Sequence, residues 1–347
     1  MSEFYKNVSL IRIDERIEKI YNSCNNATKT ESTQMDIFTT MITPYTAKGE
    51  IDYDTALKYV DWYFECGLTG IFAVCQSSEI FYLSLSERVK LNRRIYARAK
   101  ELERLYKRPF TVVSSGHVGE AVEEQIRELN AIWESGTDAL ILITNRLDPN
   151  FEGDDVWIAN CKKLLAALPA DIRLGLYECP YPYKRLVTPK ILDFCLNTGK
   201  FYYMKDTCCD AALIAKRCQQ LKGSPFKLLN ANCQTLLESM RQGGGGYCGI
   251  MCNFHPRLYA WLAKNFEKEP QKANFVQSVI GTFGFTELGL PYPLTAKYHM
   301  NLCGISTESI ARNRKSEELT EYAKSCMQQM KLATDYLENQ LILTGEF

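Results

Sequence analysis

The chain has 347 residues, 46% of them hydrophobic, and its 41 basic residues equal its 41 acidic ones. A chain of that length and apolar content suits one large domain or two small ones and excludes a disordered polymer, while zero net charge leaves no field to attract nucleic acid or an anionic membrane. No apolar run approaches the roughly 20 residues of a membrane-crossing helix, and the opening MSEFYKNVSLIRIDER lacks the apolar core of a secretory leader, so a cytoplasmic location is expected.

Residues 1–34 carry mixed charge and one helical-looking stretch, IRIDERIEKIYNS, and read as an appendage. From there short β-rich apolar runs alternate with longer amphipathic segments, the pattern of βα units around a parallel sheet. The strand candidates are Asp36–Ile42, Gly70–Val74, Phe110–Ser114, Ala139–Thr144, Arg173–Tyr177, Phe201–Lys205, Phe226–Asn230 and Tyr247–Met251. Helical stretches fall between them, at Tyr53–Cys66, Leu85–Leu102, Gly119–Glu134, Asp155–Leu168, Pro189–Asn197, Ala211–Gln220 and Cys233–Arg241. Eight such strands predict an α/β fold, a closed (β/α)8 TIM barrel over residues 35–266. Residues 267–347 read as a helical C-terminal extension packed on that barrel.

The fourteen cysteines run from Cys24 to Cys326 with no Cys-x-x-Cys pair, and only His117, His255 and His299 could serve a metal. Reduced, mostly buried thiols and no metal site are expected.

Chemistry in such barrels sits at the C-terminal ends of the strands, which selects Thr43, Cys75–Glu79, Asn145–Arg146, Tyr177, Lys205 and Cys248–Met251. Lys205 ends the run FYYMK, so its amine should project into the barrel mouth, where partial desolvation favours the neutral nucleophile. A solvated strand-end lysine paired with Asp206 is the competing reading. Tyr177 ends the preceding strand and would place a proton carrier across the same pocket, although strand-end tyrosines more often only pack. The turn Cys75–Glu79 offers Ser77, Ser78 and backbone amides to a carboxylate, or merely caps the next helix. The four glycines Gly243–Gly246 precede strand eight and lack a following Gly-Lys-Ser/Thr, so they read as a tight connection rather than a phosphate cradle. Cys208 and Cys209 have no histidine nearby in sequence and read as bystanders.

Taken together these segments resemble the dihydrodipicolinate synthase and N-acetylneuraminate lyase family, the class I pyruvate-dependent aldolases, over roughly Met35 to Ile305. MITPYTAKGEIDYDTALKYVDWYFECGLTGIF resembles the family's opening, CQSSEIFYLSLSER its G-T-T-G-E segment, YECP its Y-N-x-P motif and KDT its K-D-S/T motif. GGGGYCGIMCNFHP and LPYPLTAKYHMNLCGI resemble the eighth-strand and C-terminal helical motifs. The resemblance implies that Lys205 forms a Schiff base with a 2-keto acid and Tyr177 shuttles a proton. It further implies that Ser77 and the turn at Ser78 hold the carboxylate and that Cys248 lies beside the substrate. Thr43, selected by its place after strand one, is a further substrate-binding candidate. Arg146, Lys184 and Arg185, none of which has a counterpart in the family, are the candidates to recognise a distal acidic or hydroxylated group. The resemblance implies no organic or metal cofactor, a 2-keto acid and an aldehyde as small-molecule partners, and a homo-oligomer, tetramer or dimer. The chain departs from the synthases at Gln76, which replaces the first Thr, at Arg146 and Leu147, which replace consecutive tyrosines, and at Pro182, which replaces an arginine. A Schiff-base lyase, aldolase or related dehydratase other than the synthase is therefore the leading expectation. Dihydrodipicolinate synthase activity itself, a metal-assisted lyase and a non-catalytic keto-acid sensor stand as alternatives.

Overall fold

The computed structural model describes residues 35–343. IRIDERIEKIYNS and Cys24 therefore lie outside the described residues. Eight parallel strands, β1 (Asp36–Thr40), β2 (Gly70–Ala73), β3 (Thr111–Ser114), β4 (Ala139–Ile143), β5 (Leu174–Tyr177), β6 (Phe201–Asp206), β7 (Lys227–Asn230) and β8 (Gly246–Gly249), pair in sequence order, and β8 closes the barrel against β1. Helices α1 (Tyr53–Glu65), α2 (Leu85–Tyr106), α3 (Val122–Glu134), α4 (Asp154–Ala167), α5 (Pro189–Thr198), α6 (Ala211–Leu221), α7 (Leu236–Arg241) and α8 (Pro256–Asn265) follow the strands in turn. The chain continues through α9 (Pro270–Glu287), α10 (Leu294–Leu302) and α11 (Glu321–Leu343).

Each strand is short because it must be apolar on both faces, one toward the barrel interior and one toward the helices; all five residues of β4, ALILI, are buried. The two-residue period then sorts side chains. On β5 and β6, Leu174, Leu176 and Met204 pack under the helices. Tyr177, Tyr203 and Lys205 turn inward, where Tyr203 meets Phe38 of β1 and Tyr177 meets Phe72 of β2. Local signals start the helices where they stand: Ser84 and Glu87 form a capping box at α2, and Thr188 caps α5 with Pro189 in its first turn.

Among the boundaries that differ from expectation, three do so because side chains take up backbone groups. β8 stops at Gly249 rather than Met251, since Ile250–Asn253 coil into a 3-10 turn pinned by the Asn253 amide, which donates to the Thr40 carbonyl at 2.9 Å. α3 starts at Val122 rather than Gly119, because the Val118 and Gly119 amides donate to the Glu128 carboxylate at 2.7 and 2.9 Å. α7 starts at Leu236 rather than Cys233, because the Asn232 side chain accepts the Thr235 amide at 3.0 Å and holds the segment as a turn. Of the four glycines, Gly246 is the most tightly placed: its φ is +137°, and a Cβ there would lie 1.9 Å from the Asp36 carbonyl oxygen. It begins β8, at the end of the barrel opposite the strand C-termini.

The C-terminal helices are tied to the mouth through one buried ion pair. Lys297 of α10 donates to Glu79, in the turn after β2, at 2.9 Å, and both side chains are fully buried. Among the described residues no helix is long and apolar enough to cross a membrane.

Candidate active site

Lys205 and Tyr177 are register partners on β6 and β5, so their side chains rise into the mouth side by side. The Lys205 Nζ lies 4.1 Å from the centroid of the Tyr177 ring and 5.7 Å from that of Phe72. Lys205 is 7% exposed, and among the described residues its amine has no hydrogen-bond or ion-pair partner. The competing reading, a salt bridge to Asp206, falls to the alternation of the strand. Asp206 points outward, where Arg217 of α6 binds it and also binds Glu178 at 2.7 Å. The Tyr177 hydroxyl donates to the Gln76 side-chain carbonyl at 3.0 Å, and burial pushes the phenol well above its ordinary range, so it is a neutral proton donor.

The turn after β2 brings Gln76, Ser77 and Ser78 to the same mouth. Its hydroxyls differ in availability. The Ser78 hydroxyl donates to the Met41 carbonyl at 2.6 Å and accepts the Cys75 amide at 3.1 Å, and the Thr43 hydroxyl donates to the Ser78 carbonyl at 2.8 Å. Both side chains thus lock the turn. Ser77 donates to Thr40 at 3.0 Å. The Ser78 and Glu79 amides close the turn onto the Cys75 and Gln76 carbonyls, whereas those of Gln76 and Ser77 have no acceptor among the described residues. An incoming carboxylate would therefore meet the start of the turn, at Gln76 and Ser77, rather than Ser78. Cys248 is buried on the inward face of β8, and burial raises its thiol to about 12, which keeps it neutral and unreactive.

Arg146 follows β4 in the turn Thr144–Leu147 and is 8% exposed, its guanidinium 5.4 Å from the Phe81 ring. Lys184 and Arg185, the other cations near the mouth, are engaged: Lys184 donates to the Thr207 carbonyl at 2.7 Å, and Arg185 pairs with Asp148 at 2.9 Å and Asp154 at 2.7 Å. Burial raises the Cys208 thiol to about 12, and Cys209 is exposed at the edge. The three histidines are fully buried, which lowers His117 to about 4 and His255 and His299 to about 3. Among the described residues no group of three or more His, Cys, Asp or Glu is arranged to hold a metal ion.

Sequence reasoning overlooked Phe72, Thr40 and the contact between Gln76 and Tyr177, residues separated by 101 positions. Phe72 was findable by alternation, being the inward residue of β2; the Gln76 contact was not, since only barrel closure creates it.

A profile of the dihydrodipicolinate synthetase family matches residues 33–145. The 4-hydroxy-tetrahydrodipicolinate synthase of Bartonella bacilliformis is 24% identical over 226 residues, covering 65% of this chain and 72% of that one. Among solved structures, the prophage protein YagE from E. coli K12, in complex with pyruvate, aligns with a TM-score of 0.74 at 19% identity, covering 88% of this chain and 98% of that one. CdNal from Clostridium difficile, in complex with mannosamine, aligns with a TM-score of 0.73 at 16% identity over 88% and 100% of the two chains. The sequence match spans β1 to the end of β4, and the structural likeness, which shows a shared fold, extends over most of the described chain.

Proposed function

We propose that the protein is a Schiff-base lyase or aldolase acting on pyruvate or a pyruvate-derived 2-keto acid through Lys205. The observation that carries this reading is a buried lysine without a carboxylate partner among the described residues, set against the ring of a neutral, hydrogen-bonded tyrosine. A buried cation ordinarily needs an anion, so an unpartnered lysine in a barrel mouth fits a group kept free for chemistry.

In the proposed cycle the uncharged Lys205 amine attacks the keto carbon, the carbonyl oxygen leaves as water, and a protonated imine results. Loss of a proton from the adjacent carbon gives an enamine. In synthesis that carbon attacks an aldehyde, whose oxygen takes up a proton; in cleavage the same steps run backwards. Water then hydrolyses the imine and returns the amine. Tyr177 carries the proton that leaves and returns to the substrate between imine and enamine, and the Ser77 hydroxyl with the Gln76 and Ser77 amides holds the carboxylate. Thr43 and Ser78 keep the turn in shape, and Cys248 supplies a neutral wall. No cofactor enters the cycle.

Dihydrodipicolinate synthase activity proper is disfavoured by Gln76, whose amide cannot relay a proton from Tyr177, and by Pro182. We read residues 35–266 as the catalytic unit, 267–347 as its extension, and the whole as a cytoplasmic homo-oligomer, dimer or tetramer. Exposed Phe285 and Leu288 at the end of α9 support the oligomer. Borohydride reduction in the presence of pyruvate tests the central point: peptide mass spectrometry is expected to find the adduct on Lys205. An unmodified Lys205 would overturn the reading, whereas an adduct without turnover across a panel of aldehydes would favour a sensor.

A further inference from the structure

A second unpartnered cation stands in the same mouth. The Arg146 Nε is fully buried with no acceptor, and neither terminal nitrogen has one among the described residues. Its nearest carboxylate in sequence, Asp148, is engaged by Arg185 and by the Glu152 and Gly153 amides. The backbone of Arg146 is fixed, since its carbonyl accepts the Gln125 amide at 2.8 Å. Phe81 lies within cation–π range, 5.4 Å from the guanidinium, but such a contact leaves the hydrogen-bond donors of the fork unused. Only Nε is sealed from water; the terminal nitrogens keep slight exposure, so the fork of the guanidinium stays open to a ligand.

We infer that Arg146 receives a second, distal carboxylate of the substrate, so that the enzyme acts on acidic acceptor aldehydes or the dicarboxylic keto acids made from them. This rests on the Schiff-base reading at Lys205. The guanidinium is a planar fork suited to one carboxylate, and Lys184 and Arg185, engaged elsewhere, leave no second cation to match a phosphate dianion. Beside it Phe81 and Tyr181 meet at a 58° tilt with centroids 4.7 Å apart, an aromatic wall for the carbons between the aldehyde and the carboxylate. The wall is built into the same turn: the Asn145 amide donates to the Cys179, Tyr181 and Tyr183 carbonyls at 3.0, 2.9 and 2.6 Å.

The test compares the wild-type chain with Arg146→Gln and Arg146→Lys, using pyruvate with succinic semialdehyde, glyceraldehyde 3-phosphate or butyraldehyde. The wild type is expected to favour succinic semialdehyde over butyraldehyde by about 100-fold in kcat/KM, and Arg146→Gln to abolish that preference while Arg146→Lys restores part of it. Because the guanidinium is unpaired, Arg146→Gln should not lower Tm, which separates recognition from a structural role. Borohydride trapping of pyruvate on Lys205 should be unchanged in both variants. Glutarate binding measured by calorimetry, which needs no turnover, should weaken about as much in Arg146→Gln. Intact trapping with unchanged aldehyde preference and glutarate affinity overturns the assignment of Arg146, and a preference for the phosphorylated aldehyde overturns the choice of carboxylate. Absent trapping overturns the reading of Lys205 instead, and Arg146-dependent glutarate binding would then mark a dicarboxylate receptor.

Discussion

Two buried lysines of this barrel are treated in opposite ways. Lys297, fully buried, has the Glu79 carboxylate at 2.9 Å and the Ile310 carbonyl; burial lowers its ammonium to about 8, and the charge of Glu79 opposes that fall. Lys205, at 7% exposure, has only the faces of Tyr177 and Phe72. The first arrangement secures a charge as structure; the second leaves an amine at liberty beside a phenol. If Tyr177 is the proton carrier, removing its hydroxyl should spare imine formation and impair the later proton transfers between imine and enamine. Tyr177→Phe is expected to retain borohydride trapping of pyruvate while the exchange of the pyruvate methyl protons with deuterated water, monitored by NMR, slows by about 100-fold or more. Undiminished exchange would remove Tyr177 from the mechanism and leave it as packing against Phe72.

At the scale of elements, the mouth depends on what lies behind β5 and β6. Arg217 of α6 reaches between the strand ends to hold Glu178 and Asp206, and Glu178 also accepts the Val187 and Thr207 amides at 2.8 and 2.9 Å. The residues next to these carboxylates are Tyr177 and Lys205, so the clamp sets the register that makes them neighbours. Arg217→Met would strand two buried carboxylates, and urea unfolding should show a loss of about 3–5 kcal/mol. A loss below about 1 kcal/mol would mean that the pair is relieved by water. This clamp also marks what the sequence made legible. Eight apolar runs alternating with amphipathic segments disclosed the barrel, and their place at strand ends put Lys205 and Tyr177 at its mouth. Alternation implied that Asp206 must point away from Lys205, but its partner, eleven residues on, depends on how α6 packs. Contacts that need closure, such as Gln76 on Tyr177, or that depend on ion-pair choice, such as Arg185 on Asp148 and Asp154, carry no local signal. Helix starts were misjudged where polar side chains upstream hold the chain in a turn, at Glu128 for α3 and Asn232 for α7.

At the scale of the whole molecule, the C-terminal helices carry a group that couples stability to pH. Glu287, the last residue of α9, is 2% exposed; Thr295 of α10 donates to its Oε1 at 2.6 Å, and its Oε2 has no partner among the described residues. Burial raises its carboxyl from 4.5 to about 8, an effect that the Thr295 bond only partly offsets. A carboxyl that is harder to ionise when folded means that the folded chain holds a proton the unfolded chain has released between pH 4.5 and about 8. Its contribution is therefore intact below 4.5, declines as pH rises through that window, and above about 8 amounts to a deficit on the order of 5 kcal/mol. Glu287→Gln keeps the shape and the acceptor for Thr295 but cannot ionise. Melting temperatures of the two proteins should nearly coincide at pH 5 and diverge by several degrees in favour of the variant at pH 9. Parallel curves across that range would show that Glu287 ionises in the folded state as readily as in water, so that the corner between α9 and α10 must open to solvent.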